Sequence, residues 1–438
     1  MPTDNCSSVP AIELTVTTCA PVHFERASSK CCRPTAARGK RPRYRSRSNP
    51  RCTMPEPRLL STMQYGEFSR QAYDRAVQQD RIIKAQLELT YRCNLHCRHC
   101  YTDPYNNPQF FPRELALNEI HRLLDEMRDL GIIWLNLSGG DIFMHPDFFE
   151  IYERAYRQGF LLQLYTNGTL FTRAAIQRLQ AMPPFTIDVS CHSVNEDRFD
   201  WFTQVPGSYR AFLRGMTLLR ESGLPFTLKT KLMDWNKDEL DDLRTFTESF
   251  GQSFGYTTSL SPRLNGDCSS LAYRINPQDL KRVEQTDLAV SDNDLCMKKQ
   301  EIVRPDSDRL YRCGCGTNSI HISAWGELGT CTLQYEHRIS LRTHSLRNAV
   351  DKVFGAVRSL RYQNDSPCRS CDIHRFCEKK PTDARWEQGA AEAPIPYDCD
   401  IALVRAEHAV HQPLIHPLRN QAVMTDEHPM TSFNLNVT

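Results

Sequence analysis

Several things are scarce in this 438-residue chain, and each absence excludes something. No apolar run approaches the roughly 18–20 residues that a bilayer span needs, so no membrane-spanning helix is expected. The first residues hold no basic stretch followed by an apolar one, which argues against a secretory signal. Excess charge is nearly absent, with 54 basic and 52 acidic side chains, so bulk electrostatics point to no nucleic acid or other polyanionic partner. Acid is missing altogether from Arg26 to Arg51, where ten Lys or Arg stand among Ser, Pro and Gly. Such a segment buries too little apolar surface to fold alone, and a solvated extension over residues 1–62 is expected, in preference to a nucleic-acid tail. Met54 and Met63 are both candidate starts. Cys6, Cys19, Cys31, Cys32 and Cys52 follow no ligand spacing.

Cysteine itself is plentiful, with 18 in all. In a small secreted protein that would mean disulfides. In a long chain without a signal, clustered cysteines bind metal in a reducing compartment, so a cytoplasmic location is expected. The strongest cluster follows an alternating run, Ala85-Gln86-Leu87-Glu88-Leu89-Thr90, which reads as a strand. Beyond it Cys93, Cys97 and Cys100 stand at C-x3-C-x2-C. Three thiolates this close can all reach one small inorganic core, and three ligands on a four-iron cube leave one iron free. Zinc is the alternative, although it usually takes four ligands in two pairs.

From Ala85 the chain alternates strand and helix. Candidate strands are 85–91, 132–138, 160–166, 184–191, 225–231 and 253–259, with helices near 114–130, 146–158, 172–181, 207–222 and 236–250. The first helix has apolar spacing at Leu115, Ile120, Leu123, Leu124, Met127 and Leu130 and ends at Gly131. Six such repeats imply a parallel α/β sheet, open or curled into a partial barrel. Chemistry in such barrels sits at the C-terminal ends of the strands, where the thiols lie.

The triplet resembles the signature of the radical S-adenosylmethionine (radical SAM, AdoMet) enzymes, whose fold is a partial (β/α)6 barrel. The resemblance implies a [4Fe-4S] cluster on Cys93, Cys97 and Cys100 whose fourth iron binds AdoMet, and reductive cleavage to a 5′-deoxyadenosyl radical. Ser138-Gly139-Gly140-Asp141 resembles the family's Gly-Gly-Glu element, which holds the AdoMet ammonium, with an acid one methylene shorter. Asn167, in Thr166-Asn167-Gly168-Thr169, and Ser190, closing the fourth strand, match further cofactor-side positions. An ordinary strand-to-helix turn, an Asn-Gly turn and a polar strand end are the bland alternatives. His99 stands where the family usually has an aromatic near adenine. Cys191, Cys268 and Cys296 read as small core residues rather than ligands.

After about residue 260 the β/α rhythm stops and cysteines resume: Cys313, Cys315, Cys331, then Cys368-x2-Cys371-x5-Cys377, and Cys399 after a 21-residue gap. This resembles the SPASM extension, a small cysteine-rich auxiliary-cluster domain found behind radical SAM barrels that modify peptides. The resemblance runs from Ala85 to about Glu407. It implies a complete auxiliary iron–sulfur cluster on Cys368, Cys371, Cys377 and Cys399, though four thiols hold zinc equally well. A second auxiliary cluster would be incomplete, with Cys331 and Cys313 as ligands or Cys315 in substitution, because Lys380 and Pro381 stand where the family has a further thiol. The expected domains are 1–62, 63–260 (barrel), 261–407 (auxiliary clusters) and a mobile tail, 408–438. The expected function is oxidative modification of a peptide or protein side chain as a crosslink, thioether or dehydrogenation. The alternatives are a tetrapyrrole or other small-molecule substrate, and a zinc-stabilised binding module without redox chemistry. Expected partners are the peptide, a separate leader-binding protein that presents it, and an electron donor such as flavodoxin or ferredoxin.

Overall fold

The structure is a computed structural model that describes residues 13–14, 63–286, 308–312, 316–410 and 414. Cys313, Cys315, Cys296 and most of the expected N-terminal extension and C-terminal tail lie outside the described residues. The chain separates into two units at Arg75/Ala76. In the first, β1 (Glu13–Leu14) pairs antiparallel with β2 (Met63–Gln64). Helix α1 (Tyr65–Gln78) carries the chain across the boundary.

The second unit is built on six parallel strands in chain order: β3 (Lys84–Thr90), β4 (Trp134–Gly139), β5 (Leu161–Thr166), β6 (Thr186–Ser190), β7 (Phe226–Lys231) and β8 (Tyr256–Thr257). Every neighbouring pair is parallel, the wind of a partial (β/α)6 barrel. The connecting helices are α2 (Leu117–Leu130), α3 (Phe148–Arg157), α4 (Arg173–Ala181), α5 (Glu196–Thr203), α6 (Ser208–Ser222) and α7 (Leu240–Glu248). Helix α2 forms where the spacing predicts it. Ile120, Leu123, Leu124 and Met127 bury one face, and Gly131 ends it in the left-handed region at φ 94°. It starts later than the periodicity predicts because Glu114 is engaged elsewhere, as described below. Strand β8 keeps two residues of the expected seven, since only Tyr256 and Thr257 pair with β7. Residues on both sides of it, Ser253, Phe254 and Gly255 before and Ser259, Leu260 and Ser261 after, line a cavity.

Beyond the barrel, α8 (Pro277–Thr286) precedes a meander of β9 (Ser319–Ile322), β10 (Glu327–Gly329) and β11 (Ile339–Ser340). Strand β9 pairs parallel with β3, so this cysteine-bearing region extends the barrel sheet at its first strand. Helix α9 (Leu346–Ser359) buries Leu346, Val350, Val353, Phe354 and Val357 in the core the barrel uses. A smaller core of Ile373, Phe376, Ala402, Leu403 and Ala406 lies under Cys371 and Cys377. After α10 (Pro381–Gln388), helix α11 (Pro396–Val410) supplies Ala402, Leu403 and Ala406 to this core. Arg274 reaches across to Glu387 in a buried two-point ion pair at 2.6 and 2.8 Å. Among the described residues no helix is long and apolar enough to cross a membrane.

Candidate active site

The thiol loop starts where β3 ends, and a single carboxylate fixes that end. Glu114 accepts from Thr90 Oγ1 at 2.6 Å, Tyr91 N at 2.9 Å and Arg92 Nε at 2.9 Å. Asn106 then holds the loop from inside. Its Oδ1 accepts from Cys93 N at 3.0 Å, and its Nδ2 donates to the carbonyls of Cys93 and Leu95 at 2.9 and 3.2 Å. The amides of His96 and Arg98 donate to the Thr203 and Phe202 carbonyls at the end of α5. Arg263 closes the far side, donating to the Arg98 and Cys100 carbonyls at 3.0 Å each. A loop pinned on every side places its thiols with little freedom left to lose on binding.

Cys93, Cys97 and Cys100 all line one cavity of about 910 Å³, with Ser138, Gly139, Gly140, Asn167 and Ser190. The structure thus gathers five of the six expected cofactor-side residues with the triplet. The glycine pair has a steric cause. A Cβ on Gly139 would overlap the Thr90 carbonyl oxygen, one on Gly140 the Arg92 oxygen, and Gly139 has φ 132°. The end of β4 therefore lies flush against the start of the thiol loop, with Gly140 N donating to Thr90 O at 2.8 Å.

Asp141 departs from expectation. It is fully buried and absent from the cavity wall. Its Oδ1 accepts from Phe143 N at 3.0 Å, while Oδ2 accepts from Thr166 Oγ1 at 2.7 Å and Asn167 N at 2.9 Å. The carboxylate joins the end of β4 to the end of β5 and faces protein donors. Asn167 in turn donates to Asn94 Oδ1 at 2.9 Å and toward Cys93 Sγ at 3.7 Å. Gly168 makes the turn at φ 78°, and a Cβ on Gly215 of α6 would overlap its carbonyl oxygen.

The donor chemistry fits an iron–sulfur group. Burial pushes the Cys93 thiol up to about 12, with the Asp141 charge adding to it, and raises Cys97 and Cys100 as well. Three apposed thiols that resist ionisation need a multiply charged cationic partner to become thiolates. Leu95 N donates to Cys93 Sγ at 3.4 Å, the kind of contact that tunes a cluster. Among the described residues no three His, Cys, Asp or Glu side chains are gathered closely enough to share a single metal ion. His99 packs edge-on to His192 and against Phe202, each at 4.9 Å. Burial holds it neutral, and its Nδ1 has no hydrogen-bond partner. It lines the cavity too.

The second cysteine group also comes together. Cys368, Cys371 and Cys377 each raise the Cys399 thiol electrostatically, after burial as the first cause. Arg312 fixes their loop by donating to the Cys368 and Arg369 carbonyls at 3.1 and 2.8 Å. Cys331 lies past β10, and the next residues, Thr332 and Leu333, reach the main cavity. Cys191 is buried as expected, whereas Cys268 is exposed, since it sits on the tight turn that starts at Gly266 rather than under a helix face. Sequence reasoning missed Glu114, Asn106 and Arg263. Each acts on the loop across at least eleven residues and carries no local signal.

A parallel α/β barrel with three thiols at the end of its first strand defines an enzyme class in which a thiolate-held iron–sulfur group sits at the barrel mouth. Residues 87–247 match the model of the Radical SAM superfamily, so this part of the chain is a radical SAM domain. The chain is 31% identical over 196 residues to an AdoMet-dependent heme synthase of Methanosarcina barkeri, covering 45% of this chain and 55% of that one. It is 26% identical over 254 residues to AlbA, the antilisterial bacteriocin subtilosin biosynthesis protein of Bacillus subtilis, covering 57% and 55%. The chain thus spans about half the length of these relatives. The fold is similar to that of Streptococcus suis SuiB bound to precursor peptide SuiA, with TM-score 0.57, 15% identity, and 77% and 81% of the two chains covered.

Proposed function

We propose that this protein modifies a peptide or protein side chain oxidatively by radical SAM chemistry in a reducing, cytoplasmic setting. The observation that carries the reading is the meeting of Cys93, Cys97 and Cys100 with the ends of β4, β5 and β6 on one cavity. A four-iron cluster with AdoMet, held there, would supply the chemistry of hydrogen-atom abstraction from an unactivated carbon. The three cysteines would be its protein ligands. Ser138, Gly139, Gly140, Asn167 and Ser190 would face AdoMet, and Asp141 would act behind them by tying two strand ends together. The His99 and His192 rings and Phe202 exclude water from one wall, which protects a reactive intermediate.

Residues 63–260 form the catalytic barrel in this reading, and 261–407 carry the auxiliary thiols. Cys368, Cys371, Cys377 and Cys399 would hold a complete auxiliary cluster. Cys331, with Cys313 or Cys315, would hold an incomplete one, since Lys380 and Pro381 supply no thiol. Such groups suit an oxidative outcome, in which the substrate radical loses an electron as a bond forms. A flavodoxin or ferredoxin would supply the reducing electron, and a separate leader-binding protein would present the peptide. Support for a peptide comes from the bacteriocin-biosynthesis relative. The heme synthase relative favours a second reading, a tetrapyrrole substrate. Co-expression with a candidate peptide followed by mass spectrometry separates the two. Loss of two hydrogens from the peptide supports the first; an unchanged peptide with consumption of an added tetrapyrrole supports the second.

A further inference from the structure

The cavity wall carries a pair of lysines that come from neither the thiol loop nor the strand ends assigned to AdoMet. Lys231 is the last residue of β7, and its Nζ donates to the Ser259 carbonyl at 2.7 Å. Lys380 comes from the turn after Cys377, and its Nζ donates to the Ser259 hydroxyl at 3.1 Å. Two ammonium groups from distant parts of the chain therefore meet at one residue, and Lys231, Lys380 and Ser259 all line the cavity. Lys380 has a carboxylate neighbour, Asp383 at 3.3 Å, which also accepts from Ser261 Oγ. The hydrogen bond of Lys231 goes to a neutral carbonyl. Burial, then the charge of Lys380, pushes Lys231 down to about 8, with the Glu378 carboxylate offsetting only part of that. A cation kept out of water beside another cation is unfavourable unless an anion joins them.

The wall matters as much as the charge. The residues that would face AdoMet come from the ends of β4, β5 and β6, whereas the lysines come from β7 and from the region after the barrel. We propose that Lys231 and Lys380, with the Ser259 hydroxyl, bind a carboxylate of the substrate and so select acidic substrates. Its sources in a peptide are an acidic side chain and the C-terminal carboxylate. The proposal rests on the reading that this cavity receives the substrate.

The test uses the full chain, reconstituted and held with AdoMet but without reductant. Amine acetylation at Lys231 and Lys380 is mapped by mass spectrometry while small probes are titrated. N-acetyl-glutamate methylamide presents a side-chain carboxylate, N-acetyl-alanine a terminal one, and N-acetyl-glutamine methylamide a neutral amide. At saturation at least one carboxylate should slow labelling by roughly tenfold, and the amide should not, because a charge-assisted hydrogen bond is about twice as strong as a neutral one. Whichever carboxylate protects identifies the source. Lys380→Met should weaken protection of Lys231, and Lys380→Arg should retain it. Equal protection by the amide, protection by no carboxylate, or full protection by AdoMet alone would overturn the proposal. Deoxyadenosine release after adding reductant to the same wild-type preparation reports on the radical activity separately, so failure of one reading is distinguishable from failure of the other.

Discussion

Replacing Asp141 separates two accounts of the Gly-Gly-Asp element. If the carboxylate grips the AdoMet ammonium, its loss weakens cofactor binding and leaves the unbound protein as stable as before. The structure argues otherwise, because both oxygens accept from protein donors and the residue is fully buried. In Asp141→Asn one oxygen becomes an amide, so at least one of the Phe143 and Asn167 amides or the Thr166 hydroxyl loses its acceptor. A buried donor left without a partner costs about 1–3 kcal/mol. In Asp141→Ala all three lose it, and a loss of about 3–5 kcal/mol is expected, at the upper end for single substitutions. The assay is urea unfolding of the unreconstituted protein by tryptophan fluorescence, paired with AdoMet affinity of the reconstituted protein by equilibrium dialysis. Stability should fall in the order wild type, Asn, Ala. Any loss of affinity should follow from displaced strand ends and be smaller in Asn than in Ala. Unchanged stability of both variants together with an affinity loss of tenfold or more, about 1.4 kcal/mol, would refute the reasoning and return Asp141 to the cofactor.

Three further predictions concern packing and the auxiliary thiols. Gly215→Ala removes a helix-interior glycine, which alone would stabilise by about 0.5–1 kcal/mol. Here the added Cβ overlaps the Gly168 carbonyl oxygen, and overpacking of about 1–3 kcal/mol should win; a raised unfolding midpoint would show that the turn yields freely. Cys377→Ala should lower iron per chain through the closed auxiliary site. Cys331→Ala should stop product formation while deoxyadenosine release continues. If iron content is unchanged in Cys331→Ala and product still forms, the site near Cys331 is empty.

Much of the barrel was legible because its signals are local. The alternating run at 85–90, the helical spacing of Ile120, Leu123, Leu124 and Met127, and the thiol spacing each occupy one short window. Their elements formed within a few residues of expectation. The glycine pair was legible as a close approach, though the approaching partner was not: it is the thiol loop's own backbone. What escaped was long-range. Glu114 reads as the first turn of a helix, yet it leaves that helix to clamp a loop 22 residues earlier. Strand β9 has four residues and no turn signature tying it to β3, so its parallel pairing there could not be read from pattern. Helix α5 did leave a trace, since Asn195 caps it by accepting from Arg198 N and acids fill its first turn. Lys231 is only the last residue of the candidate strand 225–231. Its chemistry depends on Lys380, which arrives 149 positions later.

The central claim is that the three thiols after β3 hold the cluster that cleaves AdoMet, and one measurement tests it most directly. Anaerobically reconstituted protein given dithionite and AdoMet is assayed for 5′-deoxyadenosine, beside the triple variant Cys93→Ala, Cys97→Ala, Cys100→Ala. The account predicts release by the wild type and none by the variant, which should still hold iron at the cysteines beyond residue 330. Full release by the variant would contradict the assignment of the site.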